Sequence, residues 1–193
     1  MNTPNKLTIA RIIATPFFMA ALMIEFPFHY TVALVLFIAA SLTDMIDGKM
    51  ARKYNLVTDF GKFLDPLADK MLTTAAFLGF IQRGIGWQVT WIAFIVLFRE
   101  FLVSSLRLVA VSSGGKVIAA NMWGKCKTVS QMAGIIFALA SYAVTVDFGI
   151  GGVQLQSVCG VIISILFWIS AVLCIISGAI YLLSGKEYID PTK

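Results

Sequence analysis

Six apolar stretches, most of them near the length of a bilayer crossing, decide which solvent this chain can fold in. They cover residues 7–23, 30–50, 66–81, 87–108, 124–146 and 155–183. A helix needs about 20 predominantly apolar residues to cross the hydrocarbon core. Only 13% of the residues are charged, 59% are hydrophobic and the mean hydropathy is +0.89, whereas soluble domains are about 25% charged. Too few charges remain to cover a water-solvated surface. The expected class is therefore all-α, a single polytopic membrane domain over residues 1–193, with six transmembrane helices. A soluble protein with a net charge of +5 would point to nucleic acid. Here the excess cations suit anionic headgroups and phosphorylated substrates, and no nucleic-acid partner is expected.

Distribution of charge orients the chain. Of fifteen Lys and Arg residues only Arg83 falls at one end of the six crossings; the other fourteen fall at the opposite end or in the helix ends facing it. The positive-inside rule then places both termini in the cytoplasm. The first apolar run could be read as a signal peptide, but Arg11 interrupts it and several more runs of membrane length follow, so retention as the first helix is expected. Pro16 is expected to bend that helix. The final run is longer than one span requires and can tilt or project.

Chemistry has few places to reside. Cys126, Cys159 and Cys174 have no paired or metal-ligand spacing, and the one histidine, His29, is expected in a surface loop. Acid–base or metal chemistry therefore falls to carboxylates. Five of the ten acidic residues, Asp44, Asp47, Asp59, Asp65 and Asp69, crowd into one 26-residue stretch. Asp44 and Asp47 are three apart, about 60° on a helix, and Asp65 and Asp69 four apart, about 40°, so each pair shares a face. Asp65-Pro66 reads as an N-cap followed by proline at the first helical position, and Gly61 as a residue permitting a tight turn. Two antiparallel helices, the second and third, would then bring four carboxylates together at their cytoplasmic ends.

Four ionised carboxylates at close range repel unless cations neutralise them. Oxygen-only ligands suit Mg²⁺ or Mn²⁺, and four aspartates could bridge a pair of such ions. Gly48 and Ala51 leave room beside them, and Arg52 can meet a phosphate or a carboxylate with two parallel hydrogen bonds. A membrane cation or proton transporter is the alternative from another class. Its aspartates would line a path across the membrane, whereas these bunch at one end.

The string Asp44-x₂-Asp47-Gly48-x₂-Ala51-Arg52-x₈-Gly61-x₃-Asp65-x₃-Asp69 resembles the signature of the CDP-alcohol phosphatidyltransferase family, without departure. The resemblance implies a six-helix membrane enzyme that transfers a phosphatidyl group from a CDP-linked lipid to an alcohol and releases CMP. It implies that Asp44, Asp47 and Asp65 hold one divalent ion and Asp44, Asp65 and Asp69 a second. It further implies that Asp47, Gly48, Ala51, Arg52 and Gly61 cradle the cytidine diphosphate, that Asp69 is the general base, and that the enzyme is a homodimer. Pro4-Asn5-Lys6-Leu7-Thr8-x₂-Arg11-x₄-Pro16, Arg99-Glu100, Arg107 and Gly124-Lys125-Cys126-Lys127-Thr128-x₂-Gln131 are similar to bacterial members that use CDP-diacylglycerol and sn-glycerol 3-phosphate. Such an acceptor brings its own phosphate. Arg107, Lys125 and Lys127 are the candidate partners for it, with Arg99 a fourth that can instead pair with Glu100. Sister enzymes using inositol phosphate, serine or phosphatidylglycerol are the nearest alternatives, and the cations favour a phosphorylated acceptor over serine.

Overall fold

The structure, a computed structural model, describes residues 2–53, 58–112 and 122–184. They form six helices: α1 (Thr3–Met23), α2 (His29–Lys53), α3 (Asp59–Arg83), α4 (Val89–Ser112), α5 (Met122–Tyr142), which continues as a π-helical turn over Ala143–Asp147, and α6 (Gly152–Ser184). No strand occurs among the described residues. Three of these helical segments, Thr3–Met23, Met122–Asp147 and Gly152–Ser184, are long and apolar enough to cross a membrane.

The helices close into a ring in the order α1, α2, α5, α6, α4, α3 and back to α1. This order departs from the expected pairing of α2 with α3. Those two touch only slightly, and α1 packs against both. The core inside the ring is aromatic. Phe77 and Phe80 of α3 meet Phe167 of α6 with ring centroids 5.4 and 5.7 Å apart, and Phe18 of α1 meets Phe37 of α2 at 5.5 Å. Such tilted contacts suit the ring quadrupoles. Close helix approach depends on missing side chains, as is usual in membrane bundles. A Cβ on Gly79 would lie 2.2 Å from Leu22, and one on Gly134 would lie 3.0 Å from Phe167.

Helix ends at the pole opposite the aspartates are tied down individually. Gly84 ends α3 in the left-handed conformation (φ 64°), which costs glycine little. Arg83 donates to the carbonyls of Leu22 and Met23 at the end of α1 and pairs with Glu25 at 2.7 Å. A cation at those carbonyls also complements the helix dipole. Asp147 reaches from the end of the π-helical turn to cap α2, accepting from both Thr31 N (2.7 Å) and Thr31 Oγ1 (2.8 Å).

Several boundaries differ from expectation. Helix α3 starts six residues before Asp65. Thr58 is its N-cap, its Oγ1 accepting from Gly61 N at 3.0 Å, so Pro66 lies within the helix and Gly61 is helical rather than part of a turn. Helix α2 runs on through Lys53, so Arg52 belongs to a helix and not to a connecting loop. His29 is the first residue of α2 and is buried, its ring 4.0 Å from that of Tyr30. The aromatic pairing removes it from the surface. Helix α1 is continuous through Pro16.

Candidate active site

The aspartate-bearing ends of α2 and α3 are held by α1 rather than by each other. Asn5, Thr8, Arg11 and Thr15 recur every three or four residues and are all buried, so they form one polar stripe on one face of α1. The same stripe continues into the core as Phe18, Ala21 and Leu22. Its polar half reaches both aspartate helices. Thr8 Oγ1 donates to Asp65 Oδ1 of α3 at 2.8 Å, and the Arg11 guanidinium pairs with Asp44 Oδ1 of α2 at 2.5 Å. Arg11 is only 2% exposed. An arginine so deep in an apolar helix requires an anion, and Asp44 supplies one.

Asn5 secures the start of α3. Its Nδ2 donates to Thr58 Oγ1 at 2.9 Å, and its Oδ1 rests where a side chain on Gly61 would project. A Cβ there would lie 2.9 Å from Asn5 Oδ1 and 3.2 Å from Thr58 Oγ1. This contact accounts for a glycine at position 61 by packing. Gly61→Ala is therefore expected to cost about 1–3 kcal/mol and to lower activity several-fold by loosening Asp65. Gly160→Ala is the control, because nothing lies within 4 Å of its Cβ. Thermal unfolding in detergent and CMP release check both, and equal effects of the two substitutions would refute the packing role.

Asp44, Asp65 and Asp69 all expose their carboxylates. The side chains of Asp47, Ala51 and Arg52, and the surroundings of Gly48, lie outside the described set. Among the described residues no three His, Cys, Asp or Glu side chains converge tightly enough to hold a metal ion. The donor set nevertheless fits hard divalent cations. It consists of carboxylates alone, and Asp44 and Asp65 each present one oxygen to α1 and keep the other.

Beyond Asp69 a narrow cleft runs between α3, α4 and α5. It is lined by Asp69, Lys70, Thr73, Glu100, Lys127, Thr128, Gln131 and Met132. Glu100 organises its cations. Its Oε1 accepts from Lys127 Nζ at 2.6 Å and from Arg99 NH1 at 2.9 Å. Arg99 also donates twice to Ser177 Oγ, at 2.9 and 2.6 Å. One turn further along α6, Tyr181 accepts from Arg107 NH2 at 2.8 Å, and both guanidinium groups lie over its ring, 5.5 and 5.4 Å from the centroid. Stacking of this kind suits arginine and not lysine. Thus Arg99, Arg107 and Lys127 belong to one connected network. Lys125 is exposed and does not line the cleft. Two residues along a helix from Lys127, it points roughly the opposite way.

The sequence profile of the CDP-alcohol phosphatidyltransferases matches residues 1–176. The chain belongs to the CDP-alcohol phosphatidyltransferase family. Three relatives illustrate the range of likeness. The CDP-diacylglycerol–glycerol-3-phosphate 3-phosphatidyltransferase of Bacillus subtilis (strain 168) is 44% identical over 146 residues, 69% of this chain and 74% of the relative. The protein of the same name from Rickettsia bellii (strain RML369-C) is 40% identical over 191 residues, 97% of both chains. The one from Yersinia pestis (strain Pestoides F) is 35% identical over 137 residues, 70% of this chain and 75% of the relative. Membership in the CDP-alcohol phosphatidyltransferases agrees with the aspartate string, and the match to the Rickettsia protein covers nearly the whole chain.

Sequence reasoning missed Thr8, Asn5, Ser177 and Tyr181 as partners of the site. Thr8 and Asn5 carried a signal. With Arg11 they recur every three residues in a helix that is otherwise apolar. Ser177 and Tyr181 are four apart in the longest apolar run, which also marks one face.

Proposed function

We propose that this protein transfers the phosphatidyl group of CDP-diacylglycerol to sn-glycerol 3-phosphate, forming phosphatidylglycerophosphate and CMP. The observation that carries the proposal is the cleft that sets Asp69 of the aspartate string on the same walls as Lys127 and Glu100. That shared lining supports a reading in which Asp69 takes a proton and Lys127 holds the acceptor's phosphate. The names of relatives that align along nearly the whole chain support the same donor and acceptor.

In this reading Asp44, Asp47, Asp65 and Asp69 hold two divalent ions, Mg²⁺ or Mn²⁺. When bound, such ions neutralise the pyrophosphate and stabilise the leaving phosphate. Asp47, Gly48, Ala51, Arg52 and Gly61 receive the cytidine diphosphate, with Arg52 facing its phosphates. Lys127, with Arg99 and Arg107 behind it, attracts the acceptor's phosphate. Asp69 takes the proton of the 1-hydroxyl as that oxygen bonds to the β-phosphorus. The bond from the β-phosphorus to the bridging oxygen breaks, and CMP leaves with the electron pair. Positioning and electrostatic stabilisation carry such a transfer.

Six crossings with both termini and the aspartates on the cytoplasmic side, one domain over residues 1–193, a place in the cell membrane and a homodimeric assembly complete the proposal. The charge asymmetry supports the orientation, and the family resemblance supports the dimer. One assay tests the function. Purified protein in detergent receives CDP-diacylglycerol with sn-glycerol 3-phosphate, inositol phosphate, serine or phosphatidylglycerol, and CMP release is followed. Rapid release with sn-glycerol 3-phosphate alone, abolished by chelation and restored by Mg²⁺ or Mn²⁺, is the expected result. Preference for another acceptor overturns the proposal.

A further inference from the structure

One side chain in the cleft is left without a role by the transfer as described. Gln131 of α5 is 2% exposed, and its amide oxygen Oε1 is buried with no hydrogen-bond partner. A buried amide oxygen with no partner is costly, and each instance calls for an explanation. The hydroxyl neighbours of Gln131 in the cleft already donate elsewhere, and Lys127 gives one of its three donors to Glu100 and none to Gln131. Thr73 Oγ1 donates to the Asp69 and Lys70 carbonyls, Thr128 Oγ1 to the Gly124 carbonyl, and Lys127 to Glu100. Gln131 therefore holds an unpaired, buried acceptor within the lining of the cleft that Asp69 also lines.

Position along the helix indicates what would fill it. Lys127 and Gln131 are four residues apart, so they share a face of α5 and are separated by about 6 Å along its axis. Asp69 forms the facing wall on α3. A short phosphorylated polyol with its phosphate at Lys127 and its reacting hydroxyl at Asp69 would carry an intervening hydroxyl past Gln131. We propose that Gln131 is a specificity-determining residue, its amide accepting a hydrogen bond from the non-reacting hydroxyl of a vicinal-diol phosphate. Resting on the reading of the acceptor as sn-glycerol 3-phosphate, the inference assigns the 2-hydroxyl to Gln131.

The test compares two acceptors that differ only in that group, sn-glycerol 3-phosphate and 3-hydroxypropyl phosphate. The full-length protein and its Gln131→Met and Gln131→Leu variants, in detergent with CDP-diacylglycerol, are each assayed with both. A site built to hydrogen-bond a substrate hydroxyl rejects an analogue lacking it strongly. The parent should favour sn-glycerol 3-phosphate by about 100-fold in kcat/KM, the scale of one lost hydrogen bond and the buried acceptor left unpaired by it. In either variant the preference should collapse to within about threefold, because no unpaired amide is then left behind. KM for CDP-diacylglycerol should stay at the parent value. Two variants of different shape, each checked by thermal unfolding, separate a lost contact from a lost fold. A parent that treats both acceptors alike, or variants that keep its preference, overturns the role of Gln131. A parent inactive with sn-glycerol 3-phosphate but active with another acceptor overturns the underlying reading as well, and is a distinct result.

Discussion

Asp69→Asn is expected to reduce phosphatidyl transfer by about three orders of magnitude, the scale of a lost general base, while leaving the fold in place. Asn matches Asp in shape and lacks the basic oxygen. Asp69 is exposed and its side chain supports no other helix in the described structure, so the thermal midpoint should move by no more than a degree or two. Asp65→Ala behaves differently. Asp65 Oδ1 accepts from Thr8, and Ala offers no acceptor in its place, so that variant should lose activity and also loosen α1 from α3. CMP release with saturating CDP-diacylglycerol, read beside thermal unfolding in the same detergent, separates the two. Near-normal turnover in Asp69→Asn would remove it from the role of base.

Substitution of Glu100 produces the second large effect, and here stability and substrate affinity move together. Arg99, Glu100 and Lys127 keep only 11%, 18% and 8% of their side-chain surface exposed. Glu100→Leu leaves two nearly buried cations facing each other without their shared anion. Breaking a buried pair in this way costs about 3 kcal/mol or more, or roughly 10 °C in the thermal midpoint for a chain of this size. Glu100→Gln retains the shape and one acceptor and should unfold closer to the parent. It should still raise KM for sn-glycerol 3-phosphate about tenfold, a scale set by losing one charge-assisted contact, with KM for the CDP-lipid unchanged. Adding Lys127→Met to Glu100→Gln should have less than the summed effect, as contacting residues do. Parent-like melting of Glu100→Leu would show that the network contributes little to holding the helices together.

The sequence made the helical class legible because apolar runs of bilayer length admit few other structures. It made the aspartate faces legible because a helical period maps spacing directly onto direction. The partners across space were harder to read. Adjacency in the chain suggested that α2 and α3 pack together, yet α1 packs against both and α2 and α3 scarcely touch. The hydroxyl of Thr58 caps the helix seven residues before Asp65, on the amide of Gly61, so Pro66 falls inside α3, where it forfeits a single hydrogen bond. His29 looked like a surface loop residue, yet it opens α2 and packs against the rings of Phe26 and Tyr30, its near neighbours in the chain. Of the four cations expected beside the acceptor, spacing alone could have separated Lys125 from Lys127, two residues apart on one helix.

The ring order carries a consequence for how such an enzyme can diversify. The first three helices cluster about α1 and the last three about α6, and the two triads meet through α2 with α5 and α3 with α4. Every aspartate of the family string belongs to the first triad. Arg99, Glu100, Arg107, Lys127 and Gln131 all belong to the second. On the proposed roles, donor chemistry and acceptor choice then lie on separate halves of one chain. Exchanging α4 to α6 between relatives, with the meeting faces preserved, is the shortest route to a new alcohol for the same CDP-lipid.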